Sequence, residues 1–385
     1  MRRIGILTFH RANNYGAQVQ SFSLSYYLQK KFPQDRVEII DYRSLSEIKY
    51  YVRSVIRNAI KVGPAAAKDE IIRNFKMNRF CRMLPLSKKR VVSDDASKLF
   101  KRIDGKYDIV VVGSDAVFSW NRRKFPVAFF LGEDIHCIKA SYAASAHSLK
   151  YLGKKKEEIE YCSKALSGFD YIGVRDSHTE NFVRFCNPEL KTHHNCDPSL
   201  LLDMDVIDYN LIKKKLIAAK LDLNKPLIVV MTADPQIVKP IFEKYHDTCE
   251  FVSLYLHNPL IKKFIPNLSP LEWAGVFKFG ALTVTEYFHG TLLSLKNSTP
   301  VVAVDRTDVS RGYEGKIRDV LLNRMELTDM YYEYTSVGSE EYNNRVLRLS
   351  EKAMEGIYKQ QIDEAVSREA KHVESFVEYL NSSKF

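Results

Sequence analysis

Val284 to Val304 reads VTEYFHGTLLSLKNSTPVVAV: a β-rich run stops at a His-Gly pair, a helical stretch follows, and a second β-rich run closes the segment. This order places His289, Gly290 and Thr291 at the opening of a helix, whose first backbone N–H groups have no partner within the helix. Such an opening suits a ligand that carries phosphate and carboxylate groups. A second segment of the same kind lies near the amino terminus. Ile4 to Phe9 reads as a buried strand, His10 to Gly16 as a polar loop containing Asn14, Tyr15 and Gly16, and a helix is predicted from Ala17. Two strand–loop–helix sites so far apart predict two α/β domains.

The intervening runs fill in those domains. Strands are predicted at Val37 to Asp41, Tyr107 to Val112, Cys137 to Tyr142 and Tyr171 to Val174, then at Pro226 to Met231, Phe251 to Leu256, Leu282 to Thr285 and Pro300 to Val304, with a helix at Trp273 to Gly280. The boundaries that follow are an N-terminal Rossmann-like domain over 1–204 with a basic helical insertion at 45–90, and a second such domain over 205–338. A helical tail over 339–385, with Val346, Leu349, Met354, Ile357 and Ile362 at helical spacing, is expected to pack across both.

At 385 residues with 45% apolar side chains, the chain has material for two cores. It contains no apolar run of membrane-spanning length, and Met1, Arg2 and Arg3 lead straight into a strand, so a soluble cytoplasmic protein is expected. Six scattered cysteines without a CxxC pair fit reduced thiols. His193, His194 and Cys196 cluster, but no acidic or further cysteine ligand stands at a zinc-type spacing, and no metal is expected.

The net charge of +11 is uneven. From Lys49 to Arg90 there are twelve basic residues against Asp69 and Glu70, a local balance of +10 (12 − 2). Lys49, Arg53, Arg57 and Lys61 recur every fourth residue, with Val52, Val55, Ile56, Ala59 and Ile60 between them. This basic amphipathic helix is open to two readings, a solvated face over the first domain or a docking stripe for anionic lipid or a polyanionic substrate. No nucleic-acid module accompanies the charge, so nucleic acid is not an expected partner.

Strand ends in open α/β sheets are where ligands bind. Ile109 to Val112 delivers Gly113, Ser114 and Asp115, the last readable either as a turn residue or as a ligand. Cys137 to Tyr142 ends in Ala143, Ala144, Ser145 and Ala146, and Tyr171 to Val174 ends in Arg175.

These segments together resemble the polysaccharide pyruvyl transferases. ILTFHRANNYGAQVQSFSL, VVVGSDAVFSW, ASYAASA, GVRDSHT, CDPSLLL and TEYFHGTLLSL follow in that family's order over most of the chain. Tyr287 stands where some relatives carry arginine and others serine, and Ala116-Val117-Phe118 replaces the usual Gln-Val-Trp. The resemblance implies an α/β, GT-B-like fold, two Rossmann-type domains facing across a cleft, with C-terminal helices. It also implies transfer of pyruvate from phosphoenolpyruvate to a sugar of a capsule or exopolysaccharide precursor as a ketal, with phosphoenolpyruvate as a substrate and no cofactor.

Chemistry then assigns roles. Phosphoenolpyruvate needs cations in fork geometry and backbone N–H donors. Arg175 and His289 with Gly290 and Thr291 are expected to clamp it between the domains. Asn14, Tyr15, Gly16, Ser145 and Arg311 complete the expected substrate-binding set, and Arg306, Lys316 and Arg318 offer further phosphate contacts. His289 is the expected acid or phosphate contact and Asp115 the base. The acceptor in such pathways is often lipid-linked, which would bring the protein to the inner face of the plasma membrane. Two rival readings are a GT-B glycosyltransferase using a nucleotide sugar and a non-catalytic scaffold at the membrane surface.

Overall fold

The computed structural model describes residues 1–62, 64–120, 125–133, 135–147, 149–307 and 314–383. Chain contacts divide it into two units: Met1–Pro64, Met77–Leu202 and Ala370–Phe385 form the first, and Ala65–Lys76 with Asp203–Glu369 the second.

The first unit runs β1 (Arg3–Leu7), α1 (Tyr15–Lys31), β2 (Arg36–Ile39), β3 (Tyr42–Arg43), α2 (Leu45–Val62), α3 (Pro64–Cys81, shared with the second unit), β4 (Val91–Val92), α4 (Ala96–Ile103), β5 (Ile109–Val112), β6 (Ile138–Ala144), α5 (Lys156–Ser167), β7 (Tyr171–Val174), α6 (Ser177–Cys186) and β8 (Thr192–His194). Its main sheet is parallel, in the order β2-β1-β5-β6-β7-β8. The four residues of β5 are fully buried, as an apolar strand covered on both faces must be. Val110 and Val112 share a cluster with Leu99 and Ile103 of α4, Cys162 and Leu166 of α5, and Phe182 and Val183 of α6.

The second unit continues with α7 (Tyr209–Ala218), β9 (Leu227–Met231), α8 (Pro235–Tyr245), β10 (Glu250–Ser253), α9 (Pro270–Val276), β11 (Gly280–Thr285), α10 (Phe288–Lys296), β12 (Val301–Asp305) and β13 (Tyr331–Glu333). Its parallel sheet has the order β10-β9-β11-β12-β13. Counted from the first strand of each main sheet, both units have the order 2-1-3-4-5, to which the first adds a sixth strand. The chain thus reverses its direction of travel at β1 and β5 in one unit and at β9 and β11 in the other, the position at which such sheets open a crevice.

Several sequence expectations are corrected. Helix α1 begins at Tyr15, not Ala17, because the Asn14 side chain accepts from the Ala17 N–H at 3.3 Å and caps it. Tyr15 and Gly16 are therefore first-turn residues rather than loop. The predicted helix at Trp273 to Gly280 starts earlier, at Pro270, behind a Ser269–Glu272 capping box, and tightens to a 3₁₀ turn at Phe277–Phe279. Residues 65–76 fall in the second unit, because Asp69 meets His257 at 2.9 Å and Arg73 donates to the Tyr255 carbonyl at 2.7 Å. The tail has residues in each unit, which does not contradict its expected packing across both: helix Glu340–Met354 and most of Lys359–Ala370 belong to the second, and Ala370–Phe385 to the first.

Four strand ends of the first unit are joined by one charge. Arg175 follows β7 with a side chain that is 4% exposed, and its Nη1 donates to Asp197, after β8, at 2.8 Å. Asp115 after β5 lies 3.8 Å from Nη2, and Asp176 lies 3.9 Å from Nε. The carboxylates are themselves tied down. Asp176 caps α6 through the Thr179 N–H and accepts from Ser145, after β6, at 2.5 Å. Asp197 accepts from both the N–H and the hydroxyl of Ser199 and from Gln20 of α1. Burial works against ionised Asp176, but Arg175 and these hydrogen bonds more than offset it and hold the carboxyl below its ordinary value.

Two substitutions test this frame. Asp197→Ala removes a partner from a buried guanidinium and should cost about 3–5 kcal/mol, read as a lowered denaturant midpoint. Gly113 has φ +144°, and a Cβ there would lie 2.0 Å from the Tyr142 carbonyl oxygen, so backbone blocks the space. Gly113→Ala should destabilise by roughly 3 kcal/mol or more; a loss under 1 kcal/mol would contradict the close approach.

Candidate active site

The crevice of the first unit is an open cavity at the carboxyl ends of β1 and β5, lined by Phe9, Asn14, Glu47, Tyr50, Tyr51 and Asp115, among others. Asn14 reaches it as the cap of α1. Asp115 reaches it by a left-handed turn (φ 71°), a conformation that aspartate tolerates better than most residues. Its carboxylate accepts from the Ala116 N–H at 2.9 Å. With 20% of its side chain exposed, against 6% for Asp176 and 2% for Asp197, Asp115 is the carboxylate of the Arg175 network most open to a ligand.

The other wall comes from α2. Tyr50 and Tyr51 form an edge-to-face pair with centroids 5.5 Å apart, and the Arg43 guanidinium lies 5.6 Å from the Tyr51 ring centroid. Phenol rings beside carboxylate and amide groups suit a polyhydroxylated ligand, with apolar ring faces below and hydrogen-bonding groups around. Sequence reading passed over Glu47, Tyr50 and Tyr51, because the basic period of the helix hid them. The Tyr-Tyr doublet directly after Lys49 was the available signal.

Arg175 does not offer the expected fork to a donor. One guanidinium faces three carboxylates, a balance of −2 (1 − 3), so a further anion at Arg175 would meet net repulsion. Its Nη2 lies instead beside Asp115, at 3.8 Å. Ser145, expected to touch substrate, is fully buried with its hydroxyl committed to Asp176. His193 stacks on Tyr171 at 4.4 Å, and Cys196 lies 3.3 Å from the Tyr142 hydroxyl.

In the second unit the crevice lies after β9 and β11. Tyr287 caps α10 by position, and His289 and Gly290 occupy its first turn. A Cβ on Gly290 would sit 2.7 Å from the Thr285 hydroxyl and 3.1 Å from the Met231 sulfur, so the glycine lets the helix start lie against the ends of both strands. His289 is 7% exposed and packs edge-on to Phe288 at 5.4 Å. The Lys316 ammonium lies 5.1 Å from the centre of the Phe288 ring, which brings a cation to this helix opening. Thr291 is fully buried and its hydroxyl donates back to the Tyr287 carbonyl at 3.2 Å, so it serves the helix rather than a ligand.

Around Tyr287 the structure supplies what sequence spacing did not show. The Tyr287 ring meets Tyr255 edge-on at 5.3 Å, and the Arg73 guanidinium lies 4.5 Å from the centre of the Tyr255 ring. Burial pushes the Tyr287 phenol up, Tyr255 adds to the shift, and the charge of Arg73 opposes it. Arg306, an expected phosphate contact, is held by Glu286 and, at 3.0 Å, by Asp234, and lies 3.6 Å from the centre of the Tyr334 ring. Arg318 pairs with Glu333 at 2.8 Å and Glu314 at 3.4 Å. Both cations are thus already compensated. Arg311 lies outside the described residues.

No curated protein matches the sequence. Among solved structures, the chain is similar to a UDP-GlcNAc 2-epimerase of Neisseria meningitidis bound to UDP-GlcNAc, at 15% identity over 100% of both chains with a TM-score of 0.60. It is similar to the UDP-GlcNAc 2-epimerase of Methanocaldococcus jannaschii at 14% identity, over 100% of both chains and with a TM-score of 0.54. A glycosyltransferase from Rickettsia africae matches at 10% identity, over 100% of this chain and 99% of its own, also at 0.54. Likeness at these identities is one of fold, and that fold is GT-B-like. A family model described as polysaccharide pyruvyl transferase matches residues 14–308, a span that holds Asn14, Asp115, Arg175 and His289, and the chain belongs to the polysaccharide pyruvyl transferase family.

Proposed function

We propose that the protein transfers the pyruvyl group of phosphoenolpyruvate to a sugar of a cell-surface polysaccharide precursor, where it closes as a ketal. The observation that carries this reading is the family match over residues 14–308, which spans the carboxyl-edge crevices of both sheets. The enol carbon of the donor takes a proton, and the oxocarbenium-like centre so formed is attacked by one sugar hydroxyl. Phosphate then leaves, and a neighbouring hydroxyl closes the ring. Of the two hydroxyl protons, one ends on the new methyl group and the other on phosphate, so no outside reductant or oxidant is needed. His289 is assigned to protonation or to the phosphate, Asp115 to a hydroxyl proton, and Tyr50 and Tyr51 to the sugar face.

Phosphoenolpyruvate-dependent phosphate release, measured over a panel of galactosyl, mannosyl and N-acetylhexosaminyl acceptors, tests the reading. His289→Gln and Asp115→Asn should each lower kcat by about 10²–10⁴-fold, with little change in thermal midpoint. Consumption of a nucleotide sugar with no phosphate release on any acceptor would replace it with glycosyl transfer.

The acceptor is proposed to be lipid-linked, with α2 as the contact to the membrane. Among the described residues no helix is long and apolar enough to cross a membrane, so the contact would be peripheral. Lys49 and Arg53 are exposed, and Val52, Ile56 and Ile60, four residues apart, are 55%, 56% and 79% exposed. The side chains of Arg57 and Lys61 lie outside the described ones. An apolar stripe left in water beside cations is the pattern of an interfacial helix. Anionic vesicles should therefore bind the protein at low salt, by about 1 kcal/mol per accessible cation. Changing Lys49, Arg53, Arg57 and Lys61 to Glu should abolish vesicle binding yet leave turnover of a short soluble acceptor unchanged; equal loss of both would place the stripe in the substrate site.

A further inference from the structure

The amino edge of the first sheet, at the other end of the strands from Asn14 and Asp115, holds a second cavity. Its walls are Arg3, Arg36, Lys88, Lys89, Arg102 and Lys106, and its floor is Glu38 and Tyr107. The parallel register explains the floor. Arg3 pairs with Arg36 and Gly5 with Glu38, so these residues share one face of β1 and β2. A Cβ on Gly5 would lie 2.8 Å from the Tyr107 ring, so the glycine lets that ring lie on the strand. Its hydroxyl then donates to Glu38 at 2.6 Å. Burial, with Glu38 adding to it, pushes the phenol above its ordinary value, which keeps the donor proton in place.

The floor is electrostatically closed and the walls are not. Glu38 is met by Arg36 at 2.9 Å and Lys106 at 3.8 Å, and Arg3 meets Asp108 at 3.3 Å. Six cations against two carboxylates leave +4 (6 − 2) around one concavity. Among the described residues no carboxylate pairs with Lys88, Lys89 or Arg102. Like charges gathered without counter-charge repel one another, and a compact, multiply charged anion relieves that repulsion. Arginine forks beside lysine point charges match phosphate oxygens.

We propose that this cavity binds a diphosphate group. Soluble nucleoside diphosphates and the diphosphate head of a lipid-linked sugar both present that chemistry. The proposal is independent of pyruvyl transfer, since its site and its test involve neither Asp115 nor His289.

The test is calorimetric titration of the full chain with inorganic pyrophosphate in dilute buffer. The parent should bind, and the surface variant K88E/K89E/R102E should bind at least tenfold more weakly with an unchanged thermal midpoint. A control variant, K49E/R53E, should bind as the parent does. Displacement of pyrophosphate by UDP supports the site and identifies a soluble ligand; displacement by phosphatidylcholine vesicles doped with a polyprenyl diphosphate supports it and identifies the lipid. The proposal is overturned if the parent does not bind, if K88E/K89E/R102E binds as tightly as the parent, or if the control loses as much affinity, since bulk charge would then account for it.

Discussion

One buried guanidinium sets the shape of the first unit's carboxyl edge. Arg175 cannot be moved out of water without counter-charge, and the fold supplies three carboxylates from the ends of β5, β7 and β8. Each brings local structure with it: Asp176 caps α6, Asp197 caps the turn at Pro198–Leu201, and Asp115 holds a left-handed turn. Gln20 extends the same network to α1. Since the carboxylates outnumber the cation, the network carries net negative charge, and its most exposed member, Asp115, faces the crevice. The exposure of that carboxylate to the crevice is a product of how the edge is held together.

The second unit also gathers carboxylates around a strand-end cation, but a half-exposed one. Arg306 sits between Asp234 and Glu286 and beside the Tyr334 ring. Parallel strands gather their following loops at one edge, and a doubly wound order opens a crevice where the crossovers diverge. Chemistry-bearing residues therefore concentrate after β1 and β5 in one sheet and after β9 and β11 in the other. Gly290 serves this arrangement by letting α10 start against the strand ends, which fixes the direction of His289.

Positive charge is distributed by a separate logic. The cations at the two crevices are largely compensated, whereas Lys49 and Arg53 of α2 and Lys88 and Lys89 of the amino-edge cavity are exposed. Charge left in water costs little and can be used for recognition, while charge at a packed strand end must be neutralised where it stands.

Much of this was legible in the sequence. Runs such as Ile109 to Val112 and Leu227 to Met231 are apolar at every position because both faces of a parallel strand are covered, and that burial requires only local composition. The helix opening at His289 was visible because strand, glycine and helix signals abut within a few residues. Tertiary structure decided the rest. Arg175 reads as a strand-end cation until Asp115 and Asp197, far away in the chain, are brought to it. Residues 65–76 go with the second unit through Asp69–His257 and Arg73–Tyr255 contacts that no local pattern encodes. The amino-edge cavity depends on the register that sets Gly5 beside Glu38. Local apolar periodicity determines which segments become strands and helices; the partners of a buried charge are determined only when the sheet has paired, because electrostatic compensation acts across space and not along the chain.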